Sequence, residues 1–260
     1  MAKAVVLDVN ENIATITMNR PEVLNAMNPA WVEDFSAAVK EVGSNDSVRA
    51  VIVTGAGRAF CAGGDLNHPS FSMDNYEDRR PSTELGYGIA TMMRKMPKPV
   101  IAAVNGAAVG AGVSVAVACD LRVAGESSFF RLDFVKVGVM PDMGCTVKLA
   151  HIVGQSKAIE MAMLAKKVDA QEALRLSLVH EVVEDSEVMN AAQKMAGKLA
   201  AMPPLALRYI KRGTYELPQQ PYDQAMQTES ENINYLMGTE DCREGIAAFM
   251  EKRPPNYRGK

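Results

Sequence analysis

The chain of 260 residues is poor in aromatics, which make up 6% of it with a single tryptophan, and it has only three histidines and four cysteines. His68, His151 and His180 are scattered, and Cys61, Cys119, Cys145 and Cys242 lie far apart with no C-x-x-C pair. No metal site is written in such spacing, and the thiols read as free cysteines of a reducing compartment. A basic excess is lacking too: 28 Lys+Arg against 31 Asp+Glu leave a net charge of -3. Without a basic stripe to neutralise phosphates, nucleic acid is not an expected partner. The N-terminus reaches Asp8 too early to build the apolar core of a secretory signal, so a cytoplasmic protein is expected.

Long apolar runs are also scarce. The exception is Pro99 to Cys119, which carries no charge but is mostly Ala, Gly and Val and is broken by Asn105-Gly106, Gly110 and Gly112. A buried strand, a glycine turn and a buried helix explain it better than a membrane span.

What is present reads as an α/β chain. Ala4–Val9 and Ile13–Met18 are β-rich runs around the turn Asn10-Glu11-Asn12, a hairpin pattern. Asn28 and Pro29 announce a helix whose apolar residues Val32, Phe35, Val39 and Val42 recur at three and four, with Gly43 placed to end it. Strands are expected at Val48–Thr54, Val100–Val104 and Leu121–Val123, with helices near Leu85–Met96 and up to Cys119. Residues 67–87 are polar, hold Pro69 and Pro81 and lack a clean period, which predicts an irregular segment over a pocket. From Gly144 the pattern is helical, except for a short strand at Val179–Val183. Helical periodicity covers Ser186–Ala201, Pro204–Tyr215 and Tyr222–Leu236. No low-complexity linker separates the halves, so residues 1–200 read as the core and 201–260 as a helical assembly region.

Two glycine-rich segments carry the chemistry: Gly57–Leu66 and Asn105–Gly112. Each follows a strand and precedes a helix, where small residues let backbone N–H groups approach a ligand and a helix N-terminus adds positive potential. Two such turns converging can give two N–H donors to one oxygen, an oxyanion hole. Taken singly, either is equally well a structural turn. Neither matches the phosphate-binding G-x-x-x-x-G-K-[ST] loop.

Asn19–Met27, Phe60–Leu66 and Ala102–Gly112, in that order and with matching segments down to Phe249-Met250-Glu251-Lys252-Arg253, resemble the crotonase (enoyl-CoA hydratase/isomerase) family. The resemblance implies a spiral of ββα units, a helical C-terminal trimerisation region giving a homotrimer or homohexamer, and an acyl-CoA thioester as substrate. Coenzyme A is then part of the substrate, and no separate cofactor or metal is implied. It assigns the oxyanion hole to the N–H groups of Gly64 and Ala111. Coenzyme A contacts fall on Val23, Leu24, Ala26, Ala62, Asp65 and Leu66, with Phe249 and Lys252 contributed by a neighbouring subunit.

The chain departs from the hydratase pattern at both catalytic carboxylates, where Ser114 and Phe134 stand instead. Two carboxylates around one activated water cannot be built from Ser and Phe, which disfavours ordinary hydration. Asp142, in Val137–Thr146, is similar to the acid/base of isomerase-type members such as the phenylacetate-pathway epoxide isomerase, with Cys145 where glycine is usual. The alternative for Asp142 is a helix N-cap. Apolar Val139, Met140 and Met143 would raise its pKa, and a helix N-terminus would lower it. His68, Ser114, Phe134 and Met140 are candidates for the acyl pocket, each equally open to a packing or surface role.

A double-bond isomerase with Asp142 as proton shuttle is thus the expected function. A hydratase with rearranged residues, an aspartate-nucleophile hydrolase or dehalogenase, and a non-catalytic acyl-CoA- or RNA-binding member are the alternatives.

Overall fold

The computed structural model describes residues 3–68 and 76–260. Two sheets organise it. The larger runs β1 (Val5–Asn10), β2 (Ile13–Met18), β3 (Ala50–Gly55), β5 (Val100–Val104), β7 (Leu121–Gly125) and β10 (Glu181–Val183), in that spatial order. Its first pair is antiparallel, as a short turn requires, and the other pairs are parallel. The smaller sheet orders β4 (Ala59–Cys61), β6 (Ala107–Val109), β8 (Phe129–Arg131) and β9 (Val168–Asp169).

A repeat follows from this order. Each pass deposits one strand in the large sheet and the next in the small one, then adds a helix: β3–β4–α2 (Tyr76–Lys95), β5–β6–α3 (Ala111–Ala118) and β7–β8–α4 (Cys145–Val153). Parallel neighbours need such crossovers. The strands β3 and β5 are buried at every residue, which is why they read as continuous apolar runs rather than alternating ones. The helix α1 (Pro29–Ser44) starts as its sequence signals: the Asn28 side chain accepts from the Trp31 N–H at 2.9 Å, and Pro29 occupies the first turn. Fully buried Trp31 and Phe35 stack at 4.7 Å inside the main core. After α4 the chain forms α5 (Gln155–Met163) and α6 (Ala170–Arg175) before β10. A second core forms where α7 (Val188–Ala200) covers the outer face of β3 and β5.

Four local expectations are corrected. Residues 69–75 of the segment 67–87 lie outside the described residues, but the backbone from Tyr76 is helical, not irregular. Glu77, Arg79 and Arg80 are good helix formers, and the helix runs on through Pro81. Gly43 lies inside the last turn of α1 rather than ending it. The strand expected from Val179 begins at Glu181. Most consequentially, Ala59–Cys61 and Ala107–Val109 are strands within the glycine-rich segments. Three-residue strands of Ala, Phe, Cys and Val are too short to show a period.

Beyond Ala200 the chain continues as α8 (Pro204–Glu216), α9 (Tyr222–Met237) and α10 (Glu240–Glu251). The tail folds back on α10, where the Asp241 carboxylate accepts the N–H groups of Arg258 (2.6 Å) and Gly259 (2.8 Å). Among the described residues no helix is long and apolar enough to cross a membrane.

Candidate active site

β4 and β6 are adjacent parallel strands of the small sheet, so the glycine turns that follow them emerge side by side. A Cβ added to Gly63 would lie 2.8 Å from the Val109 carbonyl oxygen and 3.4 Å from the Ala111 nitrogen, so only glycine fits between the turns. Gly110, at φ 53° and ψ −124°, adopts a backbone state that side chains rarely permit and there opens α3. The two turns therefore lie against each other.

The direction of each N–H follows from its backbone. Gly64 bridges Met27, with the Met27 N–H on the Gly63 carbonyl (2.7 Å) and the Asp65 N–H on the Met27 carbonyl (2.8 Å). Alternation along an extended strand turns the N–H of Gly64 to the opposite side. Ala111 is the first residue of α3, where an N–H has no intrahelical acceptor and the helix dipole is positive.

The first loop is held by charge and by buried amide. Arg20 pairs with Asp65 at 2.9 Å and donates to the Ala26 carbonyl at 2.6 Å. Asn25, fully buried, donates to the carbonyls of Ala56 (2.9 Å) and Ala59 (2.8 Å). The Leu24 carbonyl accepts from the Ala62 N–H at 2.9 Å, which joins the Val23–Ala26 stretch to the glycine turn. Val23, Leu24, Ala26, Ala62 and Asp65 are therefore neighbours, and Leu66 beside them is 59% exposed. The Asp65 carboxylate is occupied by Arg20, so its part is to hold this loop. His68 follows, its N–H on the Asp65 carbonyl at 2.9 Å.

Asp142 approaches from the next pass of the spiral. The Ser114 hydroxyl, on the first turn of α3 and fully buried, donates to its Oδ1 at 3.1 Å. Asp142 is open to solvent on one side, but burial on the protein side raises its pKa, while the Ser114 hydroxyl and its own backbone N–H oppose that rise. The residue is not a helix cap: Gly144 holds the N-cap position of α4, with no side-chain cap bond. Of the three apolar neighbours expected to desolvate it, Met143 is buried and packs toward Gly86 of α2, whereas Val139 and Met140 are exposed. Phe134 is buried in a 3-10 turn at Asp133–Val137.

Ser114 is thus brought to Asp142 rather than to the surface or to passive packing. Phe249 and Lys252 are not brought to the glycine turns by any hydrogen bond or ion pair among the described residues. Phe249 is 82% exposed on α10, and Lys252 follows it in a left-handed C-cap. The residues that the sequence hid are Arg20 and Cys145. Arg20 lies 45 positions from the acid it pairs with, and nothing local links them. Cys145 looks like a mere departure at a glycine position, yet it is buried beside Ser114 at the start of α4.

Comparison with known proteins accords with this geometry. A family model described as enoyl-CoA hydratase/isomerase matches residues 8–260. The chain is 33% identical to the 1,2-epoxyphenylacetyl-CoA isomerase of Escherichia coli K12, over the full length of both. It is 36% identical to the short-chain-enoyl-CoA hydratase of Clostridium acetobutylicum, covering 96% of this chain and 95% of that one. Among solved structures, an enoyl-CoA hydratase from Bacillus anthracis superposes with a TM-score of 0.94 at 31% identity, over 99% of this chain and all of that one. One from Geobacillus kaustophilus gives 0.92 at 36% identity, over 99% and 98%. With the family matched over nearly its whole length and the ββα spiral in place, the chain belongs to the enoyl-CoA hydratase/isomerase, or crotonase, family.

Proposed function

We propose that the protein is an acyl-CoA double-bond isomerase in which Asp142 moves one proton. The observation that carries this reading is the inventory around Asp142. Its side-chain partner is a neutral hydroxyl, and the two positions that hold carboxylates in hydratases of the resemblance carry Ser114 and Phe134. One carboxylate serves a reaction that needs one proton carried from one carbon to another. Hydration asks for a second group to manage water.

In a 3-enoyl thioester, the C2 proton lies between the carbonyl and the double bond. Asp142, as carboxylate, takes that proton, and the electron pair spreads into a dienolate whose charge collects on the thioester oxygen. The N–H groups of Gly64 and Ala111 hold that oxygen. Donors aimed at developing charge lower a barrier by roughly 3 kcal/mol each where water is excluded. Protonated Asp142 then returns the proton at C4, leaving the double bond conjugated with the carbonyl. Raised basicity suits the first half, since a base near the working pH combines ionisation with driving force.

The test follows the rise of conjugated-thioester absorbance on mixing with 3-enoyl-CoA. Turnover is expected, and Asp142→Asn is expected to lower kcat by about a thousandfold. Undiminished activity in that variant, or hydration of 2-enoyl-CoA faster than isomerisation, overturns the assignment.

The same reading extends to assembly. Ile233, Met237, Ile246, Phe249 and Met250 are exposed on α9 and α10, an apolar surface that asks for a partner. A second and third copy of the chain are the expected cover, with Phe249 and Lys252 completing a neighbour's coenzyme A site. Light scattering should give the mass of three or six chains, and a monomer would count against it.

A further inference from the structure

We propose that Ser114 is a positioning residue for Asp142, its hydroxyl held between the Cys145 thiol and the aspartate carboxylate so that its single proton points at Oδ1. This rests on the reading of Asp142 as the proton carrier but adds two residues that nothing else assigns to the reaction.

The argument begins with proton counting. A serine hydroxyl has one proton to give and lone pairs to accept with. Ser114 Oγ lies 3.1 Å from Asp142 Oδ1 and beside the Cys145 thiol. Both Ser114 and Cys145 are fully buried, so no water competes for either. Burial pushes the Cys145 thiol up to about 12, which keeps the S–H proton in place at any working pH. A protonated thiol does not draw the serine proton as a thiolate would, so that proton is left for the carboxylate. The Ser114 O–H donates to Asp142 Oδ1, with the protonated Cys145 thiol beside it. A glycine at position 145 would leave the hydroxyl free to swing.

The arrangement also sets how basic Asp142 is. The hydroxyl stabilises the carboxylate against the burial that favours its acid form. No ion pair reaches Asp142 from the described residues around it. Asp133, in the preceding turn, is paired with Arg131 and Lys136. On α4, Lys148 donates to the Ala118 carbonyl at 2.9 Å, and α3 carries no charged residue. Glu84 and Tyr87 of α2 are exposed. Ser114 is therefore the adjustable influence, and burial the fixed one.

The experiment is a pH titration of the Asp142 carboxyl carbon by NMR, with ¹³C-labelled aspartate in the full-length protein and the signal assigned by its loss in Asp142→Asn. Ser114→Ala should move the midpoint upward by about one pH unit, the size expected for one hydrogen bond to a charged group. Cys145→Ala should move it in the same direction by less, and Cys145→Ser, which restores a polar neighbour, should return it toward the wild-type value. In the isomerase assay the acidic limb of the pH profile should shift in step, with kcat at neutral pH down about tenfold in Ser114→Ala and KM within twofold. Cys145→Ala serves if Ser114→Ala does not fold. An Asp142 midpoint that is the same in wild type, Ser114→Ala and Cys145→Ala overturns the proposal. Because the titration needs no substrate, a chain that fails to isomerise 3-enoyl-CoA yet shows the shifts defeats the functional reading alone.

Discussion

Asp120 and Asp142 lie near opposite ends of α3, and the fold surrounds them with opposite chemistry. Asp120 receives Lys211 at 2.7 Å, the Tyr215 hydroxyl at 2.8 Å and the Val100 N–H at 2.8 Å. Around it Arg94 and Lys148 lie over the Tyr215 ring, at 5.5 and 4.6 Å from its centre. Lys211 is itself tied to the carbonyls of Met93 and Lys98. Asp142 has a hydroxyl and, among the described residues, no cation. A carboxylate saturated by cations and donors is a fastener, which here binds α8 to β5 and α3. A carboxylate left uncompensated keeps its affinity for a proton, which a shuttle requires. The helix α4 touches both regimes: Cys145 opens it just after Asp142, while Lys148, one turn on, reaches the Ala118 carbonyl and the tyrosine.

The largest effect that can break this contrast is on stability at Asp120. Asp120→Ala would leave Lys211, only 9% exposed, without its counter-charge, and removing one partner of such a pair costs about 3–5 kcal/mol. Urea unfolding should register that loss, while the surviving folded protein keeps a kcat close to wild type. A loss under about 1 kcal/mol, or a fall in kcat like that of Asp142→Asn, would erase the distinction between fastener and reagent.

A smaller effect, of opposite sign, is expected at the other end. The folded state raises the Asp142 pKa, so its protonated form is favoured by folding and the contribution to stability fades as pH rises through the folded pKa. At neutral pH the wild type carries a charge that the fold disfavours, and an asparagine at this position would carry none. Asp142→Asn should therefore melt at a higher temperature than wild type at neutral pH, and the gap should close as pH falls toward the ordinary aspartate value of about 4. A variant less stable than wild type at neutral pH would mean that Ser114 and the backbone N–H outweigh the burial.

Much of this molecule was legible in its residues because the signals are strong and local. The α1 cap is a single asparagine before a proline, the apolar runs of β3 and β5 are long, and the two glycine segments stand out by composition. Hidden features are those set by distance. Whether Ser114 was packing, surface or site depended on where a loop 28 residues later would arrive. The Asp120 cluster draws on α2, α3, α4 and α8 together, so no window of sequence contains it. The small sheet escaped because its strands are three residues long and find their pairing only in one another.

That small sheet has a consequence for how the cleft can change. Its strands β4 and β6 lead to the two main-chain N–H groups proposed as donors, and neighbouring strands stand about 4.8 Å apart whatever side chains they carry. Mutation can replace a reagent such as a carboxylate in one step, but it cannot delete a peptide N–H short of introducing proline. The proposed carbonyl grip is consequently a fixture, like the bed of a lathe, and the groups facing it are interchangeable tools. In the proposed reaction, a serine and a phenylalanine where two acids could stand alter what is done to the acyl chain while leaving untouched the means of gripping it.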